Sequence, residues 1–212
     1  MNEPTQLIAV RHGETAWNVE SRLQGQLDIP LNDRGREQAR HTAHALSDAR
    51  PDIVVSSDLA RAQATAQAIA SANQVPLMLD AGLRERSFGS FQGLTHAEVA
   101  ARWPEQSTRW KSRDPDFSPG GGESLRVFYA RCVEATLRIV QAHAGRTIVL
   151  VAHGGVLDCL YRAASRIPLD AQRIWALDNA AINRLLHTDS GLTLVGWNDT
   201  SHLLDSALGE LG

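Results

Sequence analysis

The chain has 212 residues, with 21 Lys+Arg against 24 Asp+Glu, a formal net charge of −3, 43% apolar residues and two cysteines. That composition excludes a disordered chain, a collagen and a disulfide-stapled scaffold, and the charge gives no general attraction to nucleic acid or anionic lipid. No apolar run approaches the ~18 residues needed to span a bilayer, Met1 to Gln6 has no basic stretch ahead of Leu7–Val10, and Cys132 and Cys159 form no CxxC pair, so a cytoplasmic protein with two free thiols and no membrane partner is expected.

In chain order, Leu7–Val10 is a continuous apolar run that ends at Arg11-His12-Gly13, the pattern of a strand buried on both faces. A short helix is expected from about Thr15. A longer one runs from about Arg34 to Ser47, with Asn32 or Asp33 as its cap and Ala39, Ala43 and Leu46 on its apolar face. Asp52–Val55 is a second buried strand, leading into Ser56-Ser57-Asp58 and an Ala-rich helix over Leu59–Ser71 whose stripe is Ala62, Ala66 and Ile69. The short apolar stretch Leu77–Leu79 precedes Leu83-Arg84-Glu85. Pro104 to Gly122 is the least regular segment, and residues 95–122 read as a lid-like excursion over one edge of the domain. A helix from Glu123 to about His143 follows. The third buried strand, Thr147–Ala152, runs into His153-Gly154-Gly155 and a helix with Val156, Leu157, Leu160, Tyr161 and Ala164 on one face. Asn183–His187 and Leu192–Trp197, joined through Asp189-Ser190-Gly191, read as a hairpin at the sheet edge. Alternating strands and helices imply an α/β fold: a three-layer αβα sandwich with a mainly parallel central sheet, as one domain over residues 1–212.

Ligands of open parallel sheets bind beyond the carboxyl ends of the strands. The residues there are Arg11-His12-Gly13, Ser57-Asp58 with Arg61 a turn later, Leu83-Arg84-Glu85 and His153-Gly154. Two arginines offer forked donors to a phosphate, one histidine a nucleophile, a second histidine a donor to transition-state charge, and a carboxylic acid a proton for the leaving oxygen. No HExxH or acidic pair is present to hold a metal, no GxxxxGK[ST] to cradle a nucleotide and no GxSxG elbow. Gly120-Gly121-Gly122 lacks dinucleotide-site spacing.

Arg11-His12-Gly13-Glu14-Thr15 with Trp17-Asn18 resembles the signature of the histidine phosphatase superfamily, in its phosphoglycerate mutase-like branch. The resemblance continues, in order, through Arg22-Leu23-Gln24-Gly25-Gln26 with Pro30-Leu31-Asn32, Ser56-Ser57-Asp58-Leu59-Ala60-Arg61-Ala62, Leu83-Arg84-Glu85 with Phe88-Gly89 and Gln92-Gly93, Gly122-Glu123-Ser124, Val151-Ala152-His153-Gly154-Gly155 and the tail Asn198-Asp199-Thr200-Ser201-His202-Leu203. It implies a phosphoglycerate mutase-like fold, with His12 as the nucleophile that becomes phosphohistidine and Glu85 as the acid and then the base. Arg11, Arg61, His153, Asn18 and the Gly154 amide would surround the phosphoryl group, with Gln24 and Gly25 in the first binding loop. The flanking arginines should disfavour the protonated form of His12, and its tautomer needs a fixed acceptor that the sequence does not identify.

Within that family the choice lies between a phosphatase and a mutase. The positions matching Phe88 and His96 are typically Tyr and Lys in the strict mutases, the cationic pair of their lids is not clearly reproduced by Lys111-Ser112-Arg113, and the lid is short. The expectation is a metal-independent phosphomonoesterase acting on a small organic phosphate, with no cofactor; 2,3-bisphosphoglycerate would be a primer only in the mutase reading. A third possibility, a binding module without turnover, is disfavoured because both histidines and both arginines are present. Arg22, Gln24, Phe88, His96, Trp110 and Arg113 are the expected selectors of the substrate. Trp103 and Trp110 are divided between packing and substrate contact, Glu14 and Asp58 are read as structural, and His41, His44 and His143 as surface or helix-end residues. The partner is a small phosphorylated metabolite, and a homodimer through an edge strand is possible.

Overall fold

The computed structural model describes residues 3–204, so residues 1–2 of the N-terminal stretch and 205–212 of the expected domain lie outside the described residues. Six strands form one sheet: β1 (Thr5–Arg11), β2 (Ile53–Ser56), β3 (Leu77–Leu79), β4 (Thr147–Ala152), β5 (Ile182–Thr188) and β6 (Gly191–Asp199), in the order β3-β2-β4-β1-β5-β6. The first four in that order run parallel, and β5 and β6 add the expected antiparallel hairpin at one edge.

Successive residues of a strand face opposite sides of the sheet, and here each side is apolar. Leu7 and Ala9 of β1 and Ile148 and Leu150 of β4 face a core completed by α6 (Leu125–Ala142) and α7 (Gly154–Ser165). Ile8, Val10, Val149 and Val151 face a second core under α2 (Asp33–Ala45) and α3 (Ala60–Asn73). Helices on both faces of a mainly parallel sheet give the expected three layers. Asn32 caps α2 through the Gly35 amide at 2.7 Å. That helix stops at Ala45, where the chain tightens into a 3-10 turn over Ser47–Ala49. Ser124, not Glu123, caps α6; Glu123 instead receives Arg131 and the Ser87 amide.

The segment Pro104 to Gly122 is less irregular than its composition suggests. Pro104 occupies the first turn of α5 (Pro104–Lys111), where its missing N–H costs nothing. Before it, Thr95 and Glu98 form a reciprocal cap on α4 (His96–Arg102). The two short helices close over an aromatic cluster of their own, Phe91, Val99 and Phe117 with Phe88, Trp103 and Trp110 against it. A polar eight-residue helix anchored by isolated aromatics leaves too short a periodic pattern to be legible. Among the described residues, no helix is long and apolar enough to cross a membrane.

Candidate active site

β1 and β4 are neighbours in parallel register, with Arg11 opposite Ala152. Residues 12 and 153 therefore leave the sheet side by side: the His12 amide donates to the Ala152 carbonyl at 3.0 Å, and the two imidazole centroids lie 5.2 Å apart. Next in the sheet, the Ser57 amide at the end of β2 donates to the Val151 carbonyl. The turn after β1 is pressed against α2, where a Cβ on Gly35 would lie 2.0 Å from the Glu14 carbonyl oxygen, so only glycine fits. A short helix, α1 (Ala16–Val19), follows under a Thr15 cap.

A cavity of about 690 Å³ opens at this end of the sheet. Arg11, His12, Asn18, Gln24, Gly25, Arg61, Glu85 and Gly154 all line it, which brings together every expected site residue except His153. His153 is fully buried behind that lining, beside His12. Arg22, Phe88, His96, Trp110 and Arg113, the remaining expected selectors, form part of its outer wall.

His12 Nδ1 lies 2.7 Å from the Gly13 carbonyl oxygen. A carbonyl only accepts, so the ring proton sits on Nδ1 and Nε2 keeps its lone pair, which supplies the acceptor that the sequence left unidentified. His153 Nε2 lies 2.8 Å from Ser57 Oγ, which already accepts the Leu59 amide. The Ser57 hydroxyl has a second lone pair and a proton of its own, so it pairs with either tautomer of His153; when it donates to Nε2, the His153 proton lies on Nδ1. Burial, reinforced by Arg61, holds both imidazoles well below the usual histidine value; Arg11 acts on each in the same direction. Both rings are neutral at neutral pH, and the expected effect of the arginines on His12 ranks behind that of burial.

Burial also lowers Arg11, and takes Arg61 down to about 10, which leaves both charged at neutral pH. Arg61 Nη1 and Nη2 donate to the carbonyls of Leu27 and Gly25, and Arg11 Nη1 to that of Leu177. These contacts aim the guanidinium planes yet leave Arg11 Nε and Arg61 Nε buried without a partner among the described residues, and His153 Nδ1 likewise. Asn18 Oδ1 receives the Thr15 amide, the Thr15 hydroxyl and Asn179 Nδ2, so its own NH2 is left over on the cavity side. Buried donors without acceptors are costly. Arg11 and Arg61 both line the cavity where α7 presents its N-terminal amides, and Arg11 Nε lies beside Gly154, 3.6 Å from where a Cβ there would stand. The arrangement suits a multiply charged oxyanion.

Glu85 sits beside this station. Its Oε2 accepts the Gly155 amide at 3.0 Å and its Oε1 the Arg86 amide at 2.8 Å. A Cβ at position 155 would meet Glu85 Oε1 at 2.2 Å, so glycine there is what admits the carboxylate. Glu14 and Asp58 hold structural partners, Asn32 and Arg84 respectively. Trp103 stacks on Phe91 as core, whereas Trp110 packs against His96 and Phe88 and also lines the cavity. Arg22 reaches the mouth already committed to Glu20, Glu98 and the Gly93 carbonyl. Both cysteines are free and buried, but Cys159 contributes to the cavity wall, so it is not remote from the site. The tail motif lies outside the lining, where Asn198 holds Asp178 at the mouth and His202 Nε2 meets Thr42 Oγ1.

Sequence reasoning missed Thr65 and Asn179, which hold the Gly13 amide and the His12 carbonyl. It also missed the wall formed by Gln172, Arg173, Trp175 and Leu177, along with Asp158. Asp158 was findable, since it follows Gly154 by four residues on one helix; the loop after α7 carries no motif.

A family model described as histidine phosphatase superfamily (branch 1) matches residues 7–200. Phosphoglycerate mutase-like protein 4 of Arabidopsis thaliana is 41% identical over 212 residues, 98% of this chain and 90% of that protein. A metal-independent phosphoserine phosphatase of the same plant is 38% identical over 205 residues, 95% of this chain and 84% of its own length. Among solved structures, a mycobacterial glucosyl-3-phosphoglycerate phosphatase complexed with VO3 superposes with a TM-score of 0.82 at 34% identity, covering 92% of this chain and 99% of that one.

Proposed function

The chain belongs to branch 1 of the histidine phosphatase superfamily, and from that premise we propose that it hydrolyses a small organic phosphomonoester, without a metal, through a phosphohistidine on His12. The observation that carries this reading is the pair of buried Nε–H donors on Arg11 and Arg61, without partners among the described residues, around a histidine whose Nε2 is unprotonated.

The dianionic phosphate accepts hydrogen bonds from Arg11, Arg61, the Asn18 amide, the Gly154 N–H and the His153 Nδ1–H. These neutralise the three non-bridging oxygens, where transition-state charge collects. His12 Nε2 attacks phosphorus, forming an N–P bond as the ester P–O bond breaks, and the acid form of Glu85 gives its proton to the departing alkoxide. Water then attacks the phosphohistidine, its proton passes to Glu85, and inorganic phosphate leaves with His12 restored. The excursion over residues 95–122 serves as the lid of this one domain. Phe88 and His96, in place of the Tyr and Lys of mutases, support hydrolysis over mutase transfer, since a mutase must hold its substrate away from water. A relative named as metal-independent supports the same chemistry without a metal here. The two unpaired cysteines support a cytoplasmic setting, and the outermost strands β3 and β6 are the ones a homodimer would pair.

The test is turnover of p-nitrophenyl phosphate in excess EDTA, with acid quenching to trap labelled protein. Undiminished turnover and acid-labile phosphate on the wild type, both lost in His12→Ala, are expected. Activity abolished by EDTA, or an active His12→Ala protein, contradicts the proposal.

A further inference from the structure

Beyond the phosphate station the cavity continues into a lobe between α6, α7 and the loop at 166–178, lined by Phe128, Asp158, Leu169 and Trp175. Asp158 follows Gly154 by four residues on α7, so the two share a face and stand about 6 Å apart. Asp158 is only 7% exposed, and its two oxygens have different surroundings. Oδ2 accepts Arg162 Nε and Arg113 Nη2, each at 3.0 Å. Oδ1 is buried and has no partner among the described residues. The Arg162 guanidinium also lies 4.8 Å over the Trp175 ring, which stacks on Tyr161, and Trp175 Nε1 is likewise buried and unpartnered. One acceptor and one donor, both unsatisfied, therefore flank Arg162 in the same lobe.

Resting on the phosphomonoesterase reading above, we infer that Asp158 and Trp175 are specificity-determining residues that select a hydroxyl-bearing organic moiety, so that the substrate is a polyol-type phosphomonoester. Asp158 Oδ1 accepts a substrate O–H, and the Trp175 N–H donates to a hydroxyl oxygen. Other groups serve the lobe less well. An alkyl chain leaves both protein atoms unsatisfied, and an ammonium gives Trp175 nothing to donate to. One helical turn of separation from the Gly154 amide places the recognised hydroxyl a few bonds from the ester oxygen.

The experiment compares kcat/KM for glycerol 3-phosphate and n-propyl phosphate, which differ in their hydroxyls, with p-nitrophenyl phosphate reading the chemistry alone. The wild type is expected to favour glycerol 3-phosphate by roughly tenfold or more, the worth of a hydrogen bond to a buried charged group. In Asp158→Asn the two arginines claim the amide oxygen and turn the NH2 into the lobe, so the ratio falls to near one. Trp175→Phe keeps the stacking ring, loses the donor and lowers the ratio by about threefold to tenfold. A wild-type ratio near one, or variants that slow both substrates equally as a purely structural role would, overturns the inference. If Asp158→Asn does not fold, an unaltered ratio in Trp175→Phe overturns it. A wild type inert toward p-nitrophenyl phosphate overturns the phosphomonoesterase reading and this inference with it, a result distinct from a failed ratio.

Discussion

At the inner end of the cavity, the proposed catalytic groups are held largely by main-chain atoms. His12 is fixed by the Gly13 carbonyl, Arg61 by the Gly25 and Leu27 carbonyls, and Glu85 by the Gly155 and Arg86 amides. At the outer wall side chains hold one another as well as main-chain carbonyls such as those of Leu169 and Gly93. Trp110 leans on Phe88 and His96, and Arg113 pairs with Asp158, which pairs with Arg162. Main-chain atoms stay in place when a side chain is exchanged, so the inner geometry tolerates almost no local change but depends little on distant residues. The outer wall can be rebuilt one side chain at a time without moving the chemistry. One scaffold can thus keep a phosphoryl-transfer station and vary what it accepts.

The sharpest way to break this contrast is at Gly155, where a methyl group 2.2 Å from Glu85 Oε1 must displace the carboxylate. Gly155→Ala is expected to copy Glu85→Gln, slowing alkyl phosphates by about a hundredfold while p-nitrophenyl phosphate, whose leaving group needs no proton, falls far less. Steady-state kinetics on both substrates check this, and equal slowing would mean that Glu85 holds structure and does not donate a proton. At the outer wall a smaller effect is expected. Trp110→Ala should raise KM by about threefold to tenfold for a substrate that reaches the lid and leave kcat nearly unchanged, because the contact is not specific to the transition state. A fall in kcat as large as that of Gly155→Ala would erase the distinction between the two regions.

A further difference shows in stability. His12 and His153 are held well below the usual histidine value in the folded chain, chiefly by burial. Above about pH 6.5 both states leave the rings neutral and stability does not depend on them. As pH falls below that, the unfolded chain binds protons that the folded one refuses, so stability drops toward acid, approaching roughly 1.4 kcal/mol per pH unit for each ring. Urea unfolding of the wild type should show that slope between about pH 6.5 and about pH 5, and His12→Ala should flatten it by one ring's share. An identical slope in the variant would assign the dependence to other groups.

Part of the inner site was legible in the sequence, because His12 and His153 directly follow the buried strands β1 and β4, Arg61 lies on the helix after β2, and the parallel sheet has only one carboxyl end; Glu85 follows the largely exposed β3 by six residues, and Asn18, Gln24 and Gly25 came from the family resemblance. His12 and His153 are 141 positions apart in sequence, yet adjacent strands in register leave them no other place. The outer wall was legible only in part. Phe88, His96 and Trp110 were identified and do line the cavity, but Pro104 to Lys111 read as irregular and is helical. Arg173 and Trp175, in a loop without periodicity, gave no signal at all.

The sequence by itself determined the layering, the strand that carries each proposed catalytic group and the chemistry those groups support. Those follow from apolar runs, from the alternation of strands and helices and from residue type. Tertiary structure alone decided which atoms are free to act. The His12 proton sits on Nδ1 because the Gly13 carbonyl faces it. The Arg11 and Arg61 Nε donors have no partner among the described residues because the nearby carbonyls take the Nη atoms instead. Asp158 Oδ1 is buried without a partner among the described residues because Arg113 and Arg162 both bind Oδ2. Each of these is a matter of direction over a few ångströms, set by packing between segments far apart in the chain, and no local pattern encodes it.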